Sequence, residues 1–491
     1  MRSSARQELF PGWKWKPEAN IKLLGAPLGD ADFCAELTAK RVAKAEELLS
    51  NITKLSHDDS QGALLLLRHC ASWSKLVYAS RTVPPALHRA QLSNYGEALR
   101  RSLEELVRDS LPQRSWALAQ LGIAQGGLGV RDPARHAPAA YFASLQQSRE
   151  LCGRLDLGFE ADDASGGSLL ADTEQALRGS VLEGASWNRG EVGVSQKDLS
   201  GMLDAAALEQ LKRDEAQDAS FLAHVELCRL AGAGAWLTAN PVEDGREIDS
   251  PLFNAALRRR LRVPFMEEDG FCPCCGGVMD RWGDHASVCA CGGDRTIRHN
   301  AVRDIVFQEA AGASLRPERE KAGLLPHRPL SDDMPPPAPS ARRPADVWLP
   351  RGATGHKEAL DFAITSAMRS DFLRRAVDIP ESVFTDYDRR KREHLDTGQQ
   401  CEAAGMKFIP MVVESHAGAW SPAARGVLDW IAAQAAASQH ESHQLCSLRI
   451  AQRTSCTLHR ENARAILRRL VVVEPAPPMG GWAAAAAGPW Q

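Results

Sequence analysis

The chain has 491 residues, 44% of them apolar and 25% charged, enough material for about three domains with hydrophobic cores of their own. A formal net charge of −3 argues against a uniformly basic nucleic-acid binder and leaves only local basic faces for that role. The opening MRSSARQELFPGWKW has no apolar signal core and no uninterrupted apolar run reaches ~18 residues, so the expectation is a nuclear or cytoplasmic protein, neither secreted nor membrane-spanning.

Residues 20–29, NIKLLGAPLG, read as a short apolar strand broken at Gly25, Pro27 and Gly29. From Ala31 to Ser56 apolar side chains recur at Phe33, Leu37, Val42, Ala45, Leu48, Leu49 and Ile52, which is one face of a helix. Asp59 and Ser60 are capping types for the next helix, which runs to Tyr78 and is stopped by Pro84-Pro85. A third spans about Ala86 to Val107. The stretch from Leu121 to Tyr141 is a glycine-rich turn opening onto a further helix, and its GGLG lacks the spacing and the lysine of a phosphate loop. No residue type in this region is catalytic. Residues 151–250 begin acidic and glycine-rich (FEADDASGGSLLAD) and turn helical from about Asp198 to Leu230, as a linker and connector would. Arg258, Arg259, Arg260 and Arg262 then form a dense basic patch, either a solvated helix face or a contact surface for phosphates.

Five of the twelve cysteines follow within twenty residues, in FCPCCGGVMDRWGDHASVCACGG. Cys272 and Cys275 make a C-x2-C pair closed by two glycines, and His285 and Cys289 complete a tetrahedral thiolate and imidazole set of the kind that holds structural zinc. Cys291 is an alternate fourth ligand and Cys274 is left over. A disulfide framework would need an oxidising compartment. Zinc here contributes mainly folding energy, because so glycine-rich a loop has little else to hold it.

Thr296 to Ala311 reads as a helix with Ile297, Ala301, Ile305 and Val306 inward and Arg295, Arg298 and Arg303 outward. Residues 326–343 are a proline-rich insertion. Two alternating runs, Pro344 to Leu349 and Glu358 to Thr365, flank turn chemistry and form a hairpin, with Asp346 and Asp361 opposite the apolar face of each strand. Two carboxylates on adjacent strands suit Mg2+ or Mn2+, although strand-edge charges also serve simply to block aggregation. Phe408 to Glu414 reads as a buried central strand with Glu414 as its terminal charge. His299 reads as a core or capping residue, and Glu320 is a third choice of acid. Beyond about residue 425 come an alanine-rich helix, a second helix around Arg460 to Val473 and a Pro/Gly/Ala end expected to be disordered.

The order of these parts resembles a known family. LLGAPLG followed by helices, then GGLGVRD and HAPAAY, is similar to the primer-grip turn and thumb of a non-LTR retrotransposon reverse transcriptase. The knuckle, Arg298-His299-Asn300 opening a helix, Arg343-Pro344-Ala345-Asp346 and DFAIT from Asp361 resemble the carboxy-terminal restriction-like endonuclease of those elements, which has the PD-(D/E)xK fold. The resemblance implies an α+β multidomain chain. Residues 1–150 would be a helical thumb-like region, 151–250 the acidic linker and helical connector, and 251–294 the basic segment and zinc knuckle. Residues 295–425 would be an α/β restriction-endonuclease-like mixed sheet, whereas the acidic linker and the helical tail at 426–491 are read from composition and periodicity and have no counterpart in the resemblance.

By the same resemblance Asp346 and Asp361 hold Mg2+ or Mn2+, and the ordinary lysine position is Ala363. That makes Lys391, four residues after Tyr387, the displaced catalytic lysine. Arg258, Arg259, Arg260, Arg298, Arg303, Arg389 and Arg390 would contact DNA, with element RNA as a second partner. The activity implied is DNA nicking by phosphodiester hydrolysis. The Tyr-x-Asp-Asp hairpin of the polymerase palm is not in the sequence, so reverse transcription is not expected of it, and a polymerase supplied in trans would be a partner. The alternative is a non-catalytic, zinc-dependent DNA- or RNA-binding remnant on a degenerate nuclease fold, or a decayed element fragment with no selected role.

Overall fold

The computed structural model describes residues 20–155, 169–182, 195–326 and 342–470. Most of the proline-rich insertion, the acidic stretch of the linker and the Pro/Gly/Ala end lie outside them. Within them the protein is mixed α+β, mostly helical around one small mixed sheet.

The helical part begins with an exposed hairpin, β1 (Ile21–Leu23) and β2 (Ala26–Leu28), turned at Leu24 and Gly25, both with positive φ. Helices α1 (Ala31–Leu55), α2 (Ser60–Leu66), α3 (Trp73–Thr82), α4 (Arg89–Val107), α5 (Gln113–Gln120) and α6 (Pro133–Leu155) follow. Asp30 and Asp59 cap the first two, their carboxylates accepting from the Phe33 and Gly62 amides at 2.8 Å each. The helix expected to run unbroken to Tyr78 is interrupted at residues 67–71 by a single wide π turn. Between α5 and α6 the GGLG segment is a turn, as expected. A Cβ on Gly127 would sit 2.2 Å from the Leu121 carbonyl oxygen, so no other residue fits there.

The connector comprises α7 (Leu169–Ser180), α8 (Gln196–Asp214), α9 (Ala219–Cys228) and α10 (Ser250–Arg260). Next comes a miniature hairpin, β3 (Gly270–Phe271) with β4 (Val278–Met279), and the short helix α11 (Asp284–Val288). Helix α12 (Asp294–Gly312) leads into a sheet of β5 (Glu318–Arg319), β6 (Val347–Leu349), β7 (Lys357–Thr365) and β8 (Met406–Glu414), in that order.

The β6–β7 hairpin forms as alternation predicts, with Val347 opposite Leu360. β8 pairs parallel to β7 after a crossover through α13 (Leu373–Asp378), α14 (Ser382–Glu393) and α15 (Thr397–Ala403). The chain closes with α16 (Pro422–Gln439) and α17 (His443–Leu470). No helix among the described residues is long and apolar enough to cross a membrane.

Strand period two divides the sheet. Leu360 and Phe362 pack with Ile409, Met411 and Val413 against α12, α16 and α17. Ala363 and Val412 face α9, α13 and α14. Asp361 shares the parity of Ala359 and Ala363 and so belongs to the α14 side.

Three expectations change. Among the described residues β8 is the terminal strand of the sheet, its outer edge bonded only to the 419–421 segment and covered by helices. Its Pro410 has no N–H to donate and tolerates that position because β8 has a ladder partner on one side only. The closing helix is the molecule's spine. α17 is 28 residues long, and its residues join three apolar clusters: the N-terminal helices, the sheet and the knuckle. Finally, α12 is rotated from its expected face: Ile297 is 49% exposed, whereas Arg298 and Arg303 are buried beside Val302 and Val306. Their charges point inward because partners are there. Arg298 donates to Asn462 Oδ1 and to the Ser287 carbonyl, both at 2.7 Å, and Arg303 pairs with Asp304 and Glu320.

The basic patch is likewise internal. Arg258 pairs with Asp109 at 2.6 Å, Arg259 reaches Ser287 Oγ at 2.7 Å, and Arg260 donates to the Ile123 and Gly127 carbonyls. Arg262 holds Asp284 at 2.7 Å and Ser220 at 2.6 Å. Together these side chains fasten the helical region, the connector, the knuckle and the end of β8 to one another. Arg262→Ala is expected to cost roughly 3–5 kcal/mol, the range for deleting one partner of a buried ion pair. Urea midpoints read this directly, whereas a loss confined to DNA affinity would return the residue to a phosphate-binding role.

Candidate functional site

Two constellations stand out. The first is the cysteine cluster. Cys272, Cys275, His285 and Cys289 place one ligand atom each within 4.8 Å of one another, so the four can hold a metal ion such as zinc. The fold of the loop explains the convergence. The Cys272 amide bonds the Gly277 carbonyl and the Gly276 amide bonds the Cys272 carbonyl, both at 2.8 Å, while the Gly277 N–H points at Cys275 Sγ. Asp280 caps α11 by accepting from the Trp282, Asp284 and His285 amides, which sets the first turn of the helix and with it His285, whose Nε2 lies 3.3 Å from Cys275 Sγ. Burial would raise the Cys272 thiol, but the backbone N–H groups of residues 274 and 275 outweigh it and hold the thiol at about 6, toward the thiolate that metals bind. Cys274 and Cys291 are exposed and outside the four. The Cys291 carbonyl instead accepts from Arg469, so its part is played by backbone.

The second constellation lies where β6 and β7 meet α12 and α14. Asp346 directly precedes β6, and its carboxylate accepts from the Phe362 amide at 2.6 Å. His299, on α12, brings Nε2 to 3.3 Å from the same carboxylate and 3.1 Å from the Phe362 carbonyl. Both neighbours accept, so Nε2 carries the proton. The Asp346 hydrogen bond overcomes burial and raises the ring's affinity for its second proton. Burial would raise Asp346, but the His299 bond and charge more than offset it and leave the carboxyl below its ordinary range.

Asp361 has the opposite balance. Burial dominates and raises it, with Lys391 pulling the other way from 2.8 Å. Lys391 stays an ammonium, since Asp361 and Asp346 outweigh its desolvation. The lysine stands between two shallow clefts, one of 310 Å³ lined also by Asp361, Arg342, Arg343 and His394, the other of 350 Å³ lined by Arg295, His299 and Tyr387.

Among the other residues singled out, Arg389 and Arg390 are exposed on α14 beside Lys391. Arg259, Arg260, Arg298 and Arg303 are buried and offer no surface to a phosphate, and Arg258 is held between Asp109 and the Pro264 carbonyl. Glu320 pairs with Arg303 and Arg343, and its amide bonds the Asp346 carbonyl, so it buttresses the strand end. Glu414 is fully buried, accepting from the Ala367 and Ala417 amides as an internal pin, and burial raises its carboxyl. His299 reads from the sequence as structural, yet it contacts Asp346. The available signal is its place in Arg-His-Asn, which lies in the second turn of α12. No protein-family model matches the chain, and no curated protein is found similar to it.

Proposed function

We propose that the protein is a retroelement-derived, metal-dependent DNA endonuclease of the restriction-like type. One observation carries this reading: the β6–β7 hairpin and two helices bring together two linked pairs, Asp346 with His299 at 3.3 Å and Asp361 with Lys391 at 2.8 Å, and Lys391 lines both of the adjoining clefts. Two carboxylates with a neighbouring lysine fit Mg2+ or Mn2+, hard ions that take oxygen ligands. When bound at Asp346 and Asp361, such an ion would activate water and neutralise charge developing on a scissile phosphate. The protein's own contribution is positional. The Phe362 N–H and the His299 N–H fix the Asp346 carboxylate, and α14 delivers the Lys391 ammonium beside Asp361, where it can orient water or face the phosphate. The knuckle, with zinc in its four ligands, anchors α11 against α17 and so sets the floor on which α12 presents His299. Exposed Arg295, Arg343, Arg389 and Arg390 are the side chains placed to meet a backbone.

The non-catalytic binding reading draws on the same site. Lys391 sits on the Asp361 carboxylate where a cation would compete, an arrangement that also suits a closed scaffold. Incubating supercoiled plasmid with the zinc-loaded full chain and Mg2+ or Mn2+ separates the two readings. The nuclease gives nicked circles with 3′-hydroxyl ends that a polymerase extends, and chelation of the added ion stops it. DNA bound without nicking under either ion leaves the binding protein.

Lys391→Met is expected to lower single-turnover nicking by roughly 100-fold with DNA affinity nearly unchanged. Arg389→Ala and Arg390→Ala are expected to do the reverse, weakening binding and lowering its salt dependence by about one phosphate contact each. The comparison requires only a filter-binding titration beside the cleavage time course.

A further inference from the structure

A second metal-ligating cluster lies outside both sites, and it does not depend on the nuclease reading. His224 and Cys228 are one turn apart on α9, and His416 is in the turn that follows β8. All three are buried, and their ligand atoms lie within 4.8 Å of one another. His224 Nδ1 is 2.6 Å from His416 Nε2 and 3.8 Å from Cys228 Sγ.

The far nitrogen of each ring settles what the near ones are. His224 Nε2 is 3.1 Å from the Arg260 carbonyl oxygen, and His416 Nδ1 is 3.3 Å from Asp284 Oδ1. Both of those neighbours are acceptors, so each ring is asked to place its proton on the far side. The two facing nitrogens are then both lone pairs, at a separation where lone pairs repel. Three contacts in a row, from carboxylate to carbonyl, need three positive centres, and two neutral imidazoles supply two. A buried polar chain short of one cation is costly unless something fills the gap. His416 Nδ1 and Asp284 Oδ1 are also both left without a well-aligned hydrogen bond.

We propose that His224, Cys228 and His416 bind a second zinc-class transition-metal ion, a three-ligand site with its fourth position left to water, which joins the connector, the end of the sheet and the knuckle. Ring nitrogens facing the ion with the opposite N–H on a carboxylate or a backbone carbonyl is the arrangement that orients metal-binding histidines generally. A proton alone would also fill the gap, with Cys228 remaining a buried thiol in the apolar cluster it shares with Ala223 and Leu227, and metal content tells the two apart. Burial and the surrounding guanidinium groups push both rings toward the neutral form. A metal ion brings the thiolate in as a third ligand, and the thiolate and the Asp284 carboxylate offset its charge among Arg259, Arg260 and Arg262. At zinc bond lengths the two nitrogens of a tetrahedral site are about 3.3 Å apart and nitrogen and sulfur about 3.6 Å. The spacing of Cys228 Sγ from His224 Nδ1 is already near that value, but Sγ is also 3.9 Å from Nε2, so the His224 ring must turn toward it while the two rings separate by about 0.7 Å.

The test is metal content per chain by mass spectrometry on untagged full-length protein purified with zinc and freed of loosely bound metal. Two equivalents are expected. Cys228→Ala and His416→Ala should each fall to one, and Cys275→Ser should lose the knuckle's equivalent instead. Cys228→Ala removes only a buried sulfur, so circular dichroism matching the wild type guards against misfolding. Cobalt substitution supplies a second readout: Cys228→Ala should remove one of the protein's thiolate-to-cobalt contributions while Cys275→Ser removes a different one. A single equivalent in the wild type, or two that survive both Cys228→Ala and His416→Ala, overturns the proposal.

Discussion

Asp346→Asn and Asp361→Asn are each expected to reduce plasmid nicking by at least about 100-fold, since each removes a charged oxygen ligand from the proposed ion site. The two substitutions should differ in their structural cost. An amide at 346 can keep both contacts, because the Phe362 N–H and His299 Nε2 meet the same oxygen, which an amide carbonyl can replace, so the loss there is mainly of charge. An amide at 361 strips Lys391 of the carboxylate 2.8 Å away and leaves a partly buried ammonium without its partner. Asp361→Asn should therefore also relax the position of α14, visible as faster amide exchange around Lys391. The double variant should be scarcely slower than either single one, because residues that hold one ion act as a unit. Independent, multiplicative losses would mean that the carboxylates do not share an ion.

Depriving the knuckle of metal is expected to have the second large effect. β3 and β4 contribute two residues each and α11 five, too little backbone pairing to hold the loop. Its apolar contribution is Cys272, Met279, Ala286 and Cys289 packed on Ala465 and Ile466 of α17. The same short helix carries Asp284 and Ser287, the partners of Arg262, Arg259 and Arg298. Chelation, or Cys272→Ser, is thus expected to release that junction as well as the loop. A loss of about 3 kcal/mol lowers the melting temperature by roughly 5–10 °C in a domain of this size. Limited proteolysis should then cut first between residues 264 and 293. Unchanged melting and an uncut knuckle after complete metal removal would show that packing alone supports it.

How much of this was legible in the sequence follows from where the information resides. The knuckle and the carboxylate hairpin are local patterns: ligand spacing in one, period-two alternation in the other. Both elements appear where the pattern puts them, and Cys289 rather than Cys291 joins the four-ligand set. The buried arginines could not be read the same way. A run such as Arg258 to Arg260 looks identical on a solvated helix and in a junction, and only Asp109, Ile123 and Ser415 at long range decide between them. The buried face of α12 departs from the apolar pattern for that reason, because its arginines turn inward to Asn462 and Glu320.

Helix α17 hides its central place in a polar sequence. Its buried side includes Gln452, Asn462 and Arg469, each with a partner elsewhere in the chain. The histidine pair of the third cluster is 192 residues apart, beyond any motif.

The most direct measurement of the central claim is single-turnover cleavage of a labelled duplex by zinc-loaded full-length protein, with Mg2+ or Mn2+ and protein in excess over its measured DNA affinity. It is run beside Asp346→Asn at equal occupancy. The proposed nuclease cuts one strand in the wild type and leaves the Asp346→Asn complex intact though equally bound. Intact DNA in both complexes, or equal cutting by both, would contradict it.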